Sequence, residues 1–325
     1  MLAYVLYSGG LDSILAIKLL QEQNIKVIGV HFVSPFFGDP EFCKKVAKEE
    51  NFELIIKKVG RAYLNMLKNP KHGYGSAMNP CLDCHLHMLK EFKKIGRGDI
   101  LVTGEVVGQR PMSQKSEDFK IIEEELKLKN KILRPLSAKL LPETRYEKKG
   151  FVNREKLLGI KGRGRWKQLE LAKKYKLNFL APAGGCILAD KEFAKKLKDL
   201  FEHKKIISDN ELELLKVGRH FRISENKIIV GRNEKENNKI IKLKNSLDFI
   251  FEVEGIGPIT LLQGTKNKAA IKLAAELTLL YSDEEDAVVK YGKNLEKTLK
   301  VEKLKREDIE KFKMSDFIPH PCKDN

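Results

Sequence analysis

The chain of 325 residues is short of several things. It has one tryptophan, five cysteines and no apolar run long enough to cross a membrane. An odd, small cysteine count argues against a disulfide framework. Met1 to Tyr7 reads as a strand rather than the apolar core of a signal peptide, so the expected location is the cytoplasm, away from any membrane. Acidic residues are also scarce: 45 Asp and Glu face 62 Lys and Arg, leaving a net charge of +17. A basic excess of this size points to a polyanionic partner, nucleic acid first. The competing explanation is a Lys-rich surface of the kind thermophiles carry. Charge distribution favours a binding patch, because Lys139 to Lys176 holds 13 basic and 4 acidic residues, a net of +9.

What is present begins with Tyr7-Ser8-Gly9-Gly10-Leu11-Asp12-Ser13. The run follows the apolar strand Ala3–Tyr7 and opens a helix over Leu11–Gln21. Two glycines at such a turn permit positive φ and expose N–H groups. The helix start adds partial positive charge, so the turn is an anion site. Ser8 and Ser13 add hydroxyls. Asp12 makes sense at a phosphate site if it holds Mg²⁺. No Gly-Lys-Ser/Thr follows, which excludes the Walker pattern. The alternative is an ordinary glycine turn.

Strand and helix alternate for a hundred residues. Strands are expected at Lys26–Phe32, Phe52–Lys57 and Ile100–Thr103, and helices at Asp39–Glu50, Arg61–Leu67 and Cys84–Lys94. This rhythm predicts an α/β doubly wound parallel sheet, with ligands at the carboxyl ends of its strands. Ser8–Ser13, His31, Phe32, Thr103 and Gly104 fall at such ends and are the expected nucleotide contacts, with Arg110 as a phosphate fork. Arg134 and Lys139 are weighed as further cations near ATP or RNA.

Cys81 and Cys84 stand three apart after Asn79-Pro80, and Cys186 lies far downstream behind Gly184-Gly185. A thiol at a helix start is expected to have a lowered pKa. Three such thiols have four readings: ligands of a [4Fe–4S] cluster, a persulfide pair, a zinc site completed by His85 or His87, or inert core cysteines. Cys43 and Cys322 are expected to be structural or incidental. In Gly162-Arg163-Gly164-Arg165-Trp166-Lys167 the basic residues can neutralise phosphates and Trp166 can stack on a base, or Trp166 lies in a core.

From about His203 the pattern changes to a smaller α+β domain. A helix capped by Ser208 and running to Lys216 is followed by strands at His220–Ile223, Lys227–Val230, Phe249–Val253 and Ile259–Leu262. Asn267–Tyr281 reads as a helix, and the stretch from Lys290 to Asn325 as a weakly patterned Lys-rich tail. The expected domains are therefore 1–202, with 139–180 as its basic RNA-contacting segment, and 203–325.

Ser-Gly-Gly-Leu-Asp-Ser resembles the pyrophosphate loop of the N-type ATP pyrophosphatases, the PP-loop family. That resemblance implies an adenine nucleotide α-hydrolase-like fold that splits ATP, with Mg²⁺, to adenylate a substrate. With Asn-Pro-Cys-x-x-Cys, the distant Cys186 and Thr103-Gly104-Glu105-Val106-Val107-Gly108-Gln109-Arg110, the chain resembles the tRNA thiouridine synthases, over about Met1 to Leu200. Members of that group commonly carry Asp where Cys81 stands. Three cysteines look more like their iron–sulfur branch, which implies Cys81, Cys84 and Cys186 as cluster ligands and sulfur carriers, with Asp12 beside them in catalysis. The partners so implied are tRNA and a sulfur donor, whether inorganic sulfide, a cysteine desulfurase or a carrier protein, acting on a monomer or homodimer. Gly218-Arg219-His220-Phe221-Arg222 and Gly231-Arg232-Asn233 resemble the RNA-binding domain of the NFACT family. This implies that Arg219, Arg222, Arg232 and Asn233 meet RNA, as Arg163, Arg165, Trp166 and Lys167 do. A tRNA ligase of lysidine-synthase type and a non-catalytic RNA-binding adaptor are the alternatives.

Overall fold

The computed structural model describes residues 2–96, 99–180 and 186–315. The chain divides into two compact units, with Asp190 as the first residue of the second. The first contains β1 (Leu2–Leu6), α1 (Leu11–Gln21), β2 (Lys26–Val33), α2 (Pro40–Glu49), β3 (Glu53–Lys58), α3 (Arg61–Lys68) and α4 (Cys81–Ile95). Next come β4 (Ile100–Thr103), α5 (Ser116–Glu125), β5 (Ile132–Leu133), α6 (Arg145–Lys148) and α7 (Trp166–Tyr175). Five strands pair in parallel in the order β3-β2-β1-β4-β5. The sheet is doubly wound, as its βαβ sequence pattern predicts.

Strand order fixes where a ligand goes. The chain steps from β1 to β2 and β3 on one side, then returns to lay β4 on the other. The reversal lies between β1 and β4, and a ligand crevice opens outside the carboxyl ends at such a switch. Ser8–Ser13 leaves one of these ends and Gly104–Gln114 the other. One core packs Ala3, Val5, Leu15 and Leu19 with Val102 and Leu136, and another packs Val30, Phe32, Leu86 and Phe92 with Ile132.

Helix α4 starts at Cys81, three residues before the expected start, so both thiols sit in its first turn. Helix α5 has no counterpart in the sequence reading. Its apolar positions are few, and Phe119 and Ile122 are its buried ones.

The second unit holds α8 (Lys191–His203), α9 (Asp209–Leu214), β6 (Arg219–Ile223), β7 (Asn226–Val230), α10 (Glu234–Leu243), β8 (Phe249–Val253), β9 (Thr260–Gln263) and α11 (Lys268–Leu280), then β10 (Val288–Gly292), β11 (Lys297–Lys300) and β12 (Lys313–Ser315). Its seven strands form an antiparallel sheet ordered β11-β10-β8-β9-β7-β6-β12. Helix α11 packs Ala270, Ala274 and Leu277 with Phe221, Phe251 and Leu262 of that sheet.

The division falls before the expected boundary at 202, because α8 bonds within the second unit. Lys196 Nζ donates to the carbonyls of Leu215 and Gly218, and Asp199 forms a two-pronged ion pair with Arg222. The stretch after Lys290, expected to be weakly patterned, instead supplies paired strands at one edge and the other. Lys297, Lys300 and Lys313 lie on its short edge strands, where charge discourages further pairing.

Among the glycines of the first unit, Gly104 makes the closest approach to another stretch of backbone. A Cβ there would lie 2.6 Å from the Ser13 nitrogen and 2.7 Å from the Asp12 carbonyl carbon. Backbone cannot yield as a side chain does, so Gly104→Ala is expected to destabilise the chain by about 1–3 kcal/mol. Denaturant unfolding checks this; wild-type stability would show that the two backbones separate freely.

Candidate functional site

In the loop after β1, Ser8 N–H donates to Ser13 Oγ and Gly10 N–H to Ser8 Oγ, both at 3.3 Å, and Ser13 N–H donates to the Gly10 carbonyl at 3.1 Å. Gly9 takes φ +81°, with Cys43 Sγ and Leu180 Cδ1 each 3.0 Å from where its Cβ would be. Gly10 stands at the N-cap of α1 and has no side chain to cap it. Ser8 and Ser13 hydroxyls lie 3.3 Å apart, and Ser13 Oγ donates to the Gly10 carbonyl at 2.8 Å. Leu11 is wholly buried, so its side chain belongs to the core and only its backbone belongs to the loop.

Asp12 accepts from Gln109 Nε2 at 2.6 Å through Oδ2. Its Oδ1 is buried and has no hydrogen-bond partner among the described residues. A bare carboxylate oxygen out of water is costly unless a cation or donor meets it. The residues therefore fit Mg²⁺ at Asp12.

Several expected nucleotide contacts are committed elsewhere. Phe32 is a core side chain among Leu86, Leu89 and Phe92. His31 is 1% exposed and its Nδ1 bonds the Tyr7 carbonyl at 2.9 Å. Burial lowers its pKa, so it is a neutral core imidazole tied to the residue that leads into the loop. Thr103 Oγ1 is spent on Glu105 Oε2 at 2.9 Å. Gly104 is pressed onto α1. Arg110 stays exposed at the loop surface.

Glu105 organises what surrounds the switch. It is buried, and Arg134 Nε donates to its Oε2 at 3.0 Å while His85 Nδ1 sits 3.1 Å from Oε1. Burial by itself pushes its pKa up; Arg134 and His85 overcome this and hold it at about 2. Arg134 also donates to Glu123 Oε1 at 2.7 Å and lies over the Phe119 ring at 3.9 Å. It is thus a buried strut, not the nucleotide or RNA cation weighed from the sequence. Lys139 likewise pairs with Glu155.

Of the three thiols, Cys84 touches Tyr63. Tyr63 is buried, its hydroxyl is 3.4 Å from Cys84 Sγ, and both Cys81 and Cys186 lie near enough to act on its charge. Cys81 Sγ accepts from Asn79 Nδ2 at 3.4 Å, and Cys186 Sγ faces the Phe36 carbonyl at 3.8 Å. Asp83 accepts from the backbone N–H groups of Lys71 and His72 and so seats the loop before α4.

The expected lowering of the Cys84 pKa by the helix start is reversed. Burial pushes it up to about 12, with Cys186 and Cys81 adding to the rise, and burial pushes Cys186 up to about 11. Desolvation outweighs the helix dipole here. Crowded neutral thiols become thiolates when a metal centre binds them. By donor type, soft thiolate sulfurs are what an iron–sulfur cluster takes. Among the described residues no three His, Cys, Asp or Glu side chains lie together as ligands of one ion. In a cluster each cysteine meets its own iron, which asks for a wider set. His85 is held by Glu105 and His87 lies edge-on to Tyr63. Cys43 is fully buried beside His31, as expected of a structural thiol. Gly184, Gly185 and Cys322 lie outside the described residues.

The basic segment joins the loop after β4: Val107 pairs with Lys161, and Gly162 N–H donates to the Val107 carbonyl. Trp166 is 66% exposed at the start of α7, so it is not a core residue, and Lys167 lies 5.2 Å over its ring. Arg163 and Lys167 are exposed, and Arg165 is half-buried.

In the second unit the four predicted RNA contacts have internal partners. Arg219 donates to the Gly231 carbonyl and covers the Tyr281 ring at 4.3 Å. Arg222 pairs with Asp199, and Arg232 with Glu236 and the Gly218 carbonyl. Asn233 caps α10, accepting from Glu236 N–H at 3.0 Å. The expected donor-rich turn is therefore a helix start whose side chains are already bonded.

Residues 218–313 match the family described as NFACT protein RNA binding domain. The match starts after the expected His203 and runs on through the strands that follow Lys290. No curated protein matches the chain. Among solved structures, the predicted subunit of tRNA methyltransferase from Methanocaldococcus jannaschii is similar, at TM-score 0.37 and 17% identity, over 53% of this chain and 76% of that one. Nothing functional rests on a likeness at that level.

Tyr63, Glu105, Gln109 and Gln168 are not among the residues predicted for the site, and Arg134 is predicted only as a cation near ATP or RNA. Gln109 and Glu105 stood inside the conspicuous Thr103–Arg110 run; Tyr63 and Gln168 carried no local signal.

The charge on Glu105 has a consequence in acid. Its folded pKa is depressed, so its contribution to stability is full above the ordinary value of 4.5 and lost as pH falls through about 2. Glu105→Gln is expected to cost about 3 kcal/mol at pH 7 and to flatten this acid limb. Unfolding free energies from pH 7 to 2 check it; an unchanged acid limb would remove Glu105 as its source.

Proposed function

We propose that the chain is an ATP-dependent RNA sulfurtransferase acting on tRNA. The observation that carries this reading is the contact of Cys84 with Tyr63, with Cys81 and Cys186 within electrostatic reach of both, in the unit whose Ser8–Ser13 loop opens α1. A nucleotide site alone points only to ATP cleavage; sulfur ligands beside it add the chemistry of sulfur insertion. The RNA part rests on the match of residues 218–313 and on the exposed cations around Trp166.

In this reading Ser8–Ser13 would hold the ATP phosphates, and Asp12, through Oδ1, would hold Mg²⁺. A uridine carbonyl oxygen attacks the α-phosphorus, and the bond to the β-phosphate breaks with pyrophosphate leaving. The poor leaving oxygen thereby becomes part of AMP. A sulfur nucleophile then bonds to the activated carbon, and the carbon–oxygen bond breaks to release AMP. A [4Fe–4S] cluster held by Cys81, Cys84 and Cys186 would offer an open iron position for that sulfur. Without a bound group, Cys84 and Cys186 are protonated at neutral pH, which disfavours the simple persulfide pair. Trp166 would stack an unpaired base while Arg163 and Lys167 neutralise phosphates.

Incubating anaerobically reconstituted protein with ATP, Mg²⁺, sulfide and tRNA tests the reading. Thionucleoside, AMP and pyrophosphate are expected together. Cys81→Ala, Cys84→Ala and Cys186→Ala, singly or combined, are expected to abolish the thionucleoside. A triple variant with full output would sink the proposal. Pyrophosphate without thionucleoside would favour a ligase of lysidine-synthase type, and RNA binding without either product an adaptor. A second measurement concerns the acceptor: Trp166→Ala is expected to weaken RNA binding by about 1–3 kcal/mol with little change in salt dependence, while Arg163→Ala lowers the salt slope by about one. Affinity unchanged in both would clear α7 of RNA contact.

A further inference from the structure

One row of side chains joins the basic segment to Asp12. Gln168, in the first turn of α7, is fully buried. Its Nε2 donates to Gln109 Oε1 at 2.9 Å, and Gln109 Nε2 donates to Asp12 Oδ2 at 2.6 Å. The two outer acceptors, Asp12 Oδ1 and Gln168 Oε1, are buried without partners among the described residues.

The row has a direction. An amide carries its donors on one end only. Because Gln168 occupies the oxygen of Gln109, the Gln109 amino group must face Asp12. That bond holds the carboxylate in one orientation and leaves Oδ1 free. Nothing in nucleotide binding itself requires a fully buried glutamine two positions beyond Trp166.

We infer that Gln109 and Gln168 are positioning residues that hold Asp12 for Mg²⁺ and tie that carboxylate to the helix bearing Trp166 and Lys167. The inference rests on the reading of Ser8–Ser13 as an ATP site. Partners that orient a metal ligand commonly govern metal affinity by about 10–100-fold. Through this row, whatever docks on the start of α7 acts on the metal-holding group two hydrogen bonds away.

The test is a Mg²⁺ titration of ATP binding by the full-length protein, read as ligand binding rather than turnover. Gln109→Ala and Gln168→Ala are expected to raise the Mg²⁺ midpoint by about tenfold while leaving metal-free ATP binding within twofold. Gln168→Glu keeps the shape but, when ionised, cannot donate; Gln109 then turns its oxygen toward Asp12. Its Mg²⁺ midpoint is expected to rise with pH relative to wild type, a response that packing alone would not produce. Midpoints within twofold of wild type in Gln109→Ala overturn the row, and Gln109→Ala, on a half-exposed loop, decides the matter should the α7 variants fail to fold. Wild-type protein showing no Mg²⁺-dependent ATP binding overturns the nucleotide reading itself, a result distinct from normal wild-type binding with unmoved variants.

Discussion

The larger unit depends on one close approach: the backbone at Gly104 lies against the first turn of α1. Only a residue without Cβ permits it, since that atom would stand 2.6 Å from the Ser13 nitrogen. The contact lies at the ends of the paired strands β1 and β4, where the order of strand addition reverses. Everything chemical in the unit is reached from this point. One residue on, Glu105 takes Arg134 on one side and His85 on the other, which seats α4 and with it Cys81 and Cys84. Four residues further, Gln109 returns to Asp12. The glycine loop at Ser8–Ser13 and the start of α4 are thus held by the two arms of a single short segment.

Burial sets the chemistry of Cys84 and Cys186. A helix start ordinarily favours a thiolate, but its contribution is modest and fades within a turn. Removing a thiolate from water costs more, and neighbouring sulfurs add repulsion. Cys84 and Cys186 therefore rest protonated. The same logic, with the opposite result, governs Glu105. Its burial is offset by a guanidinium bonded to it, so the carboxylate stays charged.

The second unit shows how basic residues divide between structure and surface. Arg219, Arg222 and Arg232 look alike in the sequence to the exposed Arg163. Inside the antiparallel unit they bind carbonyls, Asp199 and Glu236, and so brace β6 against its neighbours. A forked cation with five donors is well suited to such bracing. Net charge alone cannot separate these arginines from those left on the surface around Trp166.

What was legible in the sequence is what local chemistry controls. The glycine turn at Ser8–Ser13, helix α1 at Leu11–Gln21 and strands β4 and β8 follow from spacing, glycine and apolar runs, and the structure has them at the expected residues. Helices α5 and α8 were hidden because their polar faces dominate their composition. The short strands after Lys290 were hidden because a strand of four residues gains its stability from its partner. Tertiary structure alone decided that Cys84 is buried against Tyr63, that Phe32 and Leu11 face the core, and that Gln168 reaches Asp12 through Gln109. The reason is physical: the bend of a turn is a property of a few residues, whereas desolvation and hydrogen-bond partners belong to whatever the fold packs around a side chain.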